Sequence, residues 1–302
     1  MPGTFYGPHS EQYSDYAFQT HLNLGRFPLG HTLILPDGRE YRFALNDGTV
    51  EIAGNLYQGV AALAGHTNRL ADVVRAIGAS ALSATITTTV AAADIYTEGM
   101  VHINDVTGEG YSYRIKRAMT SGDAHASASS VGVLTVNLAP GEVVKVALDT
   151  TSEMTFTRNR YHQTTIHLGP PTALLTGVSP GVAAADRFYW SQVKGYSAVL
   201  ANLTLLAGLP AQASIDINGA VETVKRRMQI SSTGSVLTAG TNLRAQIVDQ
   251  DGSDLALFMS VSVTTATVFD ITGGIANNSP VVGMTVKANA STEFALIDLL
   301  IR

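Results

Sequence analysis

The chain has 302 residues, enough for one large β domain or two smaller domains, each with a substantial core. Only 14% of the residues are charged, against about 25% in typical soluble domains, so much of the surface must be small, polar or covered by neighbouring subunits. The net charge of −5 offers no positive field to phosphate backbones, which argues against nucleic-acid binding. The absence of cysteine excludes disulfides, thiolate metal sites and a cysteine nucleophile.

Residues 1–28 are polar and aromatic without periodicity, which predicts an extended N-terminal arm. The start of the chain has neither the basic region nor the apolar run of a signal peptide, and the apolar stretch 198–211 is shorter than the roughly 20 residues that a membrane span needs. We therefore expect a protein made in the cytoplasm and not inserted in a membrane. Aromatic residues are rare in disordered tails, so the arm should pack on its own domain or on a neighbouring subunit, and both alternatives stay open. The candidate contact residues in the arm are Tyr6, Tyr13, Tyr16, Phe18 and Phe27.

From Gly30 onward, short apolar runs alternate with turn residues, as is typical of β-strands. Tyr41, Phe43 and Leu45 alternate onto one face of the first clear strand. The segments 100–106 and 111–117, joined by a turn with two glycines, predict a hairpin. The other predicted strands are 32–35, 84–91, 131–138, 142–148, 153–160, 164–168, 196–206, 245–248, 255–263, 267–271, 283–288 and 293–301.

Two segments leave the choice of secondary structure open. Residues 58–77 fit a helical period in part, but glycines interrupt it, and residues 220–230 suit a strand or a short helix. The sequence Gly-Pro-Pro-Thr at 169–172 is the best candidate boundary, because consecutive prolines donate no ladder hydrogen bonds. We therefore predict an all-β chain with the arm at 1–28 and two antiparallel β-sandwich or barrel-like domains at 29–170 and 171–302.

The sequence lacks the familiar catalytic motifs. It contains no nucleophile elbow, no phosphate loop, no dinucleotide-binding glycine pattern and no His-Glu-x-x-His zinc motif. The eight histidines are dispersed, and His162 and His167 would point to opposite faces of one strand. Asp105 and Glu109, and the acidic run 249–254, are interpreted as turn carboxylates in hairpins. We therefore expect no enzyme activity, no cofactor and no metal site.

The only tryptophan lies in the run Phe188-Tyr189-Trp190. If these residues are buried, they belong to the core. If they are exposed, Tyr189 and Trp190 could stack on a sugar ring or contact a partner. Because strand residues alternate between the two faces, one face of this run could be buried while the other is exposed. Both residues are therefore candidate interface residues. The basic clusters at 114–117 and 225–227 are better explained as solvated faces than as a specific acidic site.

Several segments together resemble a known group of proteins. Residues 95–115 (IYTEGMVHINDVTGEGYSYRI) resemble a segment shared by structural proteins of aquatic tailed bacteriophages. The segments 153–157 (EMTFT), 188–199 and 282–299 look similar too, so that the resemblance covers much of residues 30–200 and the last twenty.

The resemblance implies a virion component, most of all a capsid decoration (cement) protein. Such a subunit would bind the major capsid protein on the outside of the shell and form a homo-oligomer, with a trimer favoured. One alternative is a phage tail or fibre component that recognises host-surface glycans. Another is a virion-associated glycan hydrolase, which would need two carboxylates about 5–10 Å apart in a groove.

Overall fold

The computed structural model describes residues 4–6, 27–202, 204–205, 207–224, 242–248, 254–262, 281–287 and 294–301. These residues form strands and no helix, so the predicted all-β fold class is confirmed. The strands are β1 (Thr4–Tyr6), β2 (Thr32–Ile34), β3 (Glu40–Leu45), β4 (Leu56–Gln58), β5 (Arg69–Leu70), β6 (Ala81–Ile86), β7 (Met100–Asp105), β8 (Ser112–Arg114), β9 (Gly132–Asn137), β10 (Glu153–Thr157), β11 (Thr165–Ile166), β12 (Leu175–Val178), β13 (Phe188–Leu200), β14 (Pro210–Ala213), β15 (Val221–Thr223), β16 (Asn242–Val248), β17 (Asp254–Ser262), β18 (Val281–Lys287) and β19 (Phe294–Leu300).

Eleven of the described strands form one large, curled and mostly antiparallel sheet. Its main path is β1-β2-β3-β13-β19-β18-β14-β15, and β4, β11 and β12 join it beside β13. The long strand β13 pairs with β3 from Phe188 to Lys194 and with β19 from Lys194 to Leu200. Strands on both sides of residue 170 are therefore hydrogen-bonded neighbours, and a division at that residue would separate β3 from β13.

The buried apolar side chains of the described residues form three clusters. The first draws its buried members only from residues 71–156. From residue 69 to residue 157, β5, β10, β7 and β8 form one small sheet and β6 and β9 another. The second surrounds Trp190 and Phe43 on β13 and β3. The third lies beneath β13, β19 and β18 and includes Ile297 and Leu299. The segment 71–156 therefore has its own core, inserted between strands of the large sheet.

The predicted hairpin at 100–117 is confirmed: β7 and β8 pair antiparallel, with Val101 opposite Tyr113. Tyr41 and Phe43 are fully buried on one face of β3, as their alternation predicted. The segments around 245–248 and 255–263 also form a hairpin, β16 with β17, whereas the acidic turn 249–253 lies outside the described residues.

The helix considered for 58–77 does not form. Chain direction changes at Gly65, whose φ is 75° and whose missing side chain leaves room for the backbone oxygen of Thr87. Val73, Val74 and Ile77 are exposed, so no helical face is buried there. In the second ambiguous segment, β15 is a strand, and residues 225–230, with the predicted strand 267–271, lie outside the described part.

The strand predicted at 142–148 is also wrong. Only Leu148 in that segment makes a β-bridge, with Arg75, and the rest is turn and loop. Its alternating apolar residues Val144 and Leu148 are buried in the first cluster, although the backbone is not part of a ladder. Burial of alternate side chains therefore explains the pattern that predicted a strand.

Candidate interaction surface

Strand β19 is apolar on both faces. Ala295, Ile297 and Leu299 are buried in the third cluster, while Phe294 and Leu300, on the opposite face, are each 52% exposed. In an antiparallel sheet with one solvated face, the outward positions are normally polar. The pattern of β19 is instead that of a strand covered on both sides.

The register extends this exposed surface across three strands. Asp298 of β19 lies opposite Tyr196 of β13 and Met284 of β18, and cross-strand partners point to the same side of a sheet. Tyr196 is 60% exposed, and Met284 is exposed as well. Lys287 of β18 lies opposite Leu296, one outward position before Asp298. We call this surface the outer face; it consists of Lys194, Tyr196, Ala198, Met284, Lys287, Phe294, Leu296, Asp298 and Leu300, and Lys194 is ion-paired with Glu40.

A groove of about 330 Å³ lies at one end of the outer face, between Tyr196 and Phe294. Gly54, with φ of 77°, lies beneath Phe294, and a Cβ atom at this position would overlap the phenyl ring. The side-chain amide of Gln192 donates to the carbonyl of Tyr196 at 2.9 Å and so fixes the groove wall. Arg39, held by a 2.6 Å ion pair with Asp37, completes the rim. Two aromatic rings beside a guanidinium can hold an apolar side chain or the flat face of a sugar.

A second exposed apolar surface lies on the unit that contains the first cluster, from β5 to β10 (residues 69–157). It follows the edge strand β5 and the chain after it, where Leu70, Val73, Val74 and Ile77 are all exposed, Ile77 by 68%. Leu70 lies opposite Glu153, which in turn pairs with Asp105, the residue before exposed Val106. We call this surface the corner patch; it consists of Leu70, Val73, Val74 and Ile77.

Val106 has a strained backbone. Its φ of 65° lies in the left-handed region, which a β-branched residue rarely adopts. The turn is held by hydrogen bonds: the N–H of Val106 donates to Asp105 Oδ1 at 2.8 Å, and the Thr107 hydroxyl donates to Asp149 Oδ2 at 2.8 Å. Hydrogen bonds from Thr151 and Thr107 lower the pKa of Asp149 to about 2, so this support is ionised at neutral pH. The Val106 side chain is 48% exposed at this turn.

The structure places Tyr189 and Trp190 in the core. Trp190 packs against Phe43, with ring centroids 5.0 Å apart, while Tyr189 faces the other side of β13 toward Tyr57. Both residues are buried, as is Phe188, because β13 is central in the sheet and covered on both sides along this stretch. Burial in the core is therefore the alternative that the structure shows, and neither Tyr189 nor Trp190 has the exposed surface that an interface residue needs.

The candidate contact residues of the N-terminal arm differ in where the structure places them. Tyr6 belongs to β1, which pairs in parallel with β2 of the same chain, opposite Ile34. Phe27 packs on its own chain, stacked on His31 at 5.0 Å between centroids. Tyr13, Tyr16 and Phe18 lie outside the described residues. For Phe27, packing on its own domain is the alternative that the structure shows.

Glu51 is a buried carboxyl group among hydroxyls. It is 1% exposed, and its Oε1 accepts a hydrogen bond from Thr164 Oγ1 at 3.2 Å. Thr164 Oγ1 also lies 3.0 Å from the Tyr189 hydroxyl. Burial raises the pKa of Glu51 to about 8, although the hydroxyls of Tyr189 and Thr164 act in the opposite direction. The group is therefore mostly protonated at pH 7.

Several histidines are buried, and burial lowers the pKa of each. His66 Nδ1 lies 2.6 Å from the Tyr96 hydroxyl, and His125 Nε2 accepts the backbone N–H of Tyr96 at 3.1 Å. Burial lowers the pKa of His162 to about 4. His167 accepts the N–H of Gly219 at 2.8 Å and packs among polar backbone groups. His66 and His125 thus hold Tyr96 of the first core in place, whereas His167, next to β11, contacts the turn at Gly219.

A cavity of about 260 Å³ lies between this unit and the large sheet. Leu45, Ile95 and Met119 line it with His162. The nearby carboxylate of Asp94 accepts backbone N–H groups of the loop 122–125, from Ala124 at 2.8 Å. The Asp94 carboxylate therefore fixes the conformation of the loop 122–125.

Within the described ranges, no group of three or more histidine and acidic side chains could hold a metal ion. The same ranges contain no helix that is long and apolar enough to cross a membrane. Asp105 and Glu109 lie at the β7–β8 turn, where Asp105 Oδ1 is occupied by the N–H of Val106. Comparison of the chain with protein-family models, curated proteins and solved structures gives no significant match.

The sequence analysis did not predict the outer face as an interaction surface, although the sequence of β19 contains an indication of it. Residues 294–300 form an almost unbroken apolar run, which is typical of a strand covered on both faces. Only the register with β13 and β18 shows that Tyr196 and Met284 extend the same surface.

Proposed function

We propose that this chain is a structural subunit of a tailed-bacteriophage virion, a decoration protein that binds the major capsid protein on the outside of the shell. The observation that carries the proposal is the presence of two separate exposed apolar surfaces, the outer face and the corner patch, on units with different cores. A subunit that joins neighbours needs more than one interface. The resemblance of residues 95–115 and 282–299 to phage structural proteins supports the same proposal.

The two surfaces have the character of interfaces. Exposed aliphatic residues are unremarkable when they are scattered, whereas contiguous apolar patches mark interaction sites. On the corner patch, Val73, Val74 and Ile77 are exposed within five residues of chain. We assign the corner patch to the capsid.

The assignment is tested by capsid sedimentation. Purified protein is mixed with capsids that lack it, and bound protein is measured in the pellet. We expect Val74→Glu and Ile77→Glu to weaken binding at least tenfold, because each places a charge within an apolar contact. The matched control is Val133→Glu, a change at an exposed valine on β9 outside both surfaces. Equal binding by all three variants would contradict the assignment.

A second candidate function is recognition of a host-surface glycan by a tail or fibre component. The groove between Tyr196 and Phe294 favours it, because exposed aromatic rings stack on sugars. Glycan-array binding by the wild-type chain, lost in Tyr196→Ala, would favour this function over decoration. The two candidates also differ in copy number, since a fibre component is present in few copies per virion.

A further inference from the structure

We infer that the outer face binds a second copy of this chain through a two-fold contact. The inference deepens the proposed function, on which it rests for the role of this face as an interface. It names the partner of one of the two surfaces, leaving the corner patch to the capsid.

The first support is the arrangement of apolar side chains. Phe294 and Leu300 stand at the two ends of β19, and Tyr196 and Met284 flank its centre on the neighbouring strands. The inner face of the same three strands already covers the third core cluster. A second sheet packed on the outer face would bury both sides, as in a β-sandwich.

The second support is the pattern of charge. Among the residues that the structure describes, neither Asp298 nor Lys287 makes an ion pair. Lys287 lies opposite Leu296 and is therefore a diagonal neighbour of Asp298, so that one positive and one negative charge lie side by side on the face. A two-fold axis in the plane of the interface, running between them, places each Asp298 against Lys287 of the other copy.

This charge complementarity favours a second copy over another partner. In a two-fold interface the same patch meets itself, so a patch must carry both members of each pair that it forms. The outer face meets that condition with Asp298 and Lys287. A closed trimer, expected from the sequence, would need two different complementary patches, and the two-fold contact therefore predicts dimers in place of trimers.

The test is the mass of the full-length protein in solution, measured by light scattering and sedimentation velocity. We expect a dimer for the wild type. Asp298→Lys places two lysines against each other, and Lys287→Asp places two aspartates together; each should weaken the dimer at least tenfold. The double variant Asp298→Lys/Lys287→Asp restores opposite charges and should restore the dimer. Glu109→Lys, an equal change of charge at an exposed turn of the other unit, is the control and should remain dimeric.

Each outcome is decisive. Weakening by both single changes with recovery in the double variant supports the two-fold contact. A monomeric or trimeric wild type, or a dimer insensitive to the charge changes, overturns it. The denaturation midpoint of each variant is measured to confirm that it folds. Because the side chains of Asp298 and Lys287 are exposed, we expect these midpoints to match that of the wild type. Capsid sedimentation is measured in parallel: capsid binding by a monomer would overturn this inference alone, whereas a dimer that binds no capsid would overturn the proposed function alone.

Discussion

Glu98 accepts a hydrogen bond of 2.6 Å from the backbone N–H of Leu29, a residue 69 positions earlier in the chain. The same carboxylate lies 3.6 Å from Arg117 Nε, and Arg117 also donates to the backbone oxygen of Phe27 at 2.5 Å. Glu98 is 7% exposed. These contacts fasten the segment that follows the N-terminal arm to the unit with the first core.

Replacing Glu98 with alanine should therefore destabilise the protein strongly. The change leaves the part-buried side chain of Arg117 without its carboxylate and the N–H of Leu29 without its acceptor, which we expect to lower the free energy of unfolding by about 1–3 kcal/mol. Urea denaturation measures the loss. Glu109→Ala at the exposed β7–β8 turn is the control, and comparable losses in the two variants would show that the network contributes little.

Glu51 predicts an unusual dependence of stability on pH. Its folded pKa of about 8 lies above the ordinary value of 4.5, so between these two values the folded state holds a proton that the unfolded state has released. The group's contribution to stability is present below pH 4.5 and is lost as the pH rises toward 8, at about 1.4 kcal/mol per pH unit.

Glu51→Gln removes this titration while keeping the volume and hydrogen-bonding capacity of the side chain. We expect the variant to unfold at higher denaturant than wild type at pH 8, and the difference to shrink as the pH falls toward 4.5. Denaturation series at four pH values measure the trend. A difference that does not change with pH would contradict the buried, protonated state.

Gly54 and Gly38 provide a matched pair of substitutions. Both have positive φ, 77° and 86°, but a Cβ at Gly54 would overlap Phe294 whereas nothing lies within 4 Å at Gly38. Gly38→Ala should cost about 1–2 kcal/mol from backbone strain alone. Gly54→Ala should cost more and displace the Phe294 ring, which NMR of the aromatic protons would detect. Equal costs and an unmoved ring would contradict the packing of Phe294 on Gly54.

Trp190 reports on the core because it is the single tryptophan in the chain. Its side chain, on β13, is fully buried against Phe43 of β3. We therefore expect iodide to quench its fluorescence weakly in the folded protein and strongly in denaturant. Emission should shift to longer wavelength on unfolding. Strong quenching of the folded protein would contradict the burial.

The sequence predicted local features better than long-range ones. The β7–β8 hairpin followed from its glycine turn and alternating residues, which act within about fifteen positions. In contrast, the burial of Phe188, Tyr189 and Trp190 depends on pairing with β3 and on packing against Tyr57. Both lie more than a hundred residues earlier in the chain. No local pattern contains that information.

The same reason explains the missed surfaces. Val73, Val74 and Ile77 suggested the apolar face of a helix, but they are exposed on an irregular segment beside β5. Tyr196 and Asp298 become neighbours only through the pairing of β13 with β19. The apolar run 294–300 was visible in the sequence, whereas the continuous outer face follows only from strand order.

The copy number of this chain in purified virions, relative to the major capsid protein, tests the central claim most directly. Quantitative mass spectrometry of both proteins in the same preparation gives the ratio. We predict one copy of the chain for every few copies of the major capsid protein, because a decoration subunit covers the whole shell. A handful of copies per virion, or none, would contradict the decoration function.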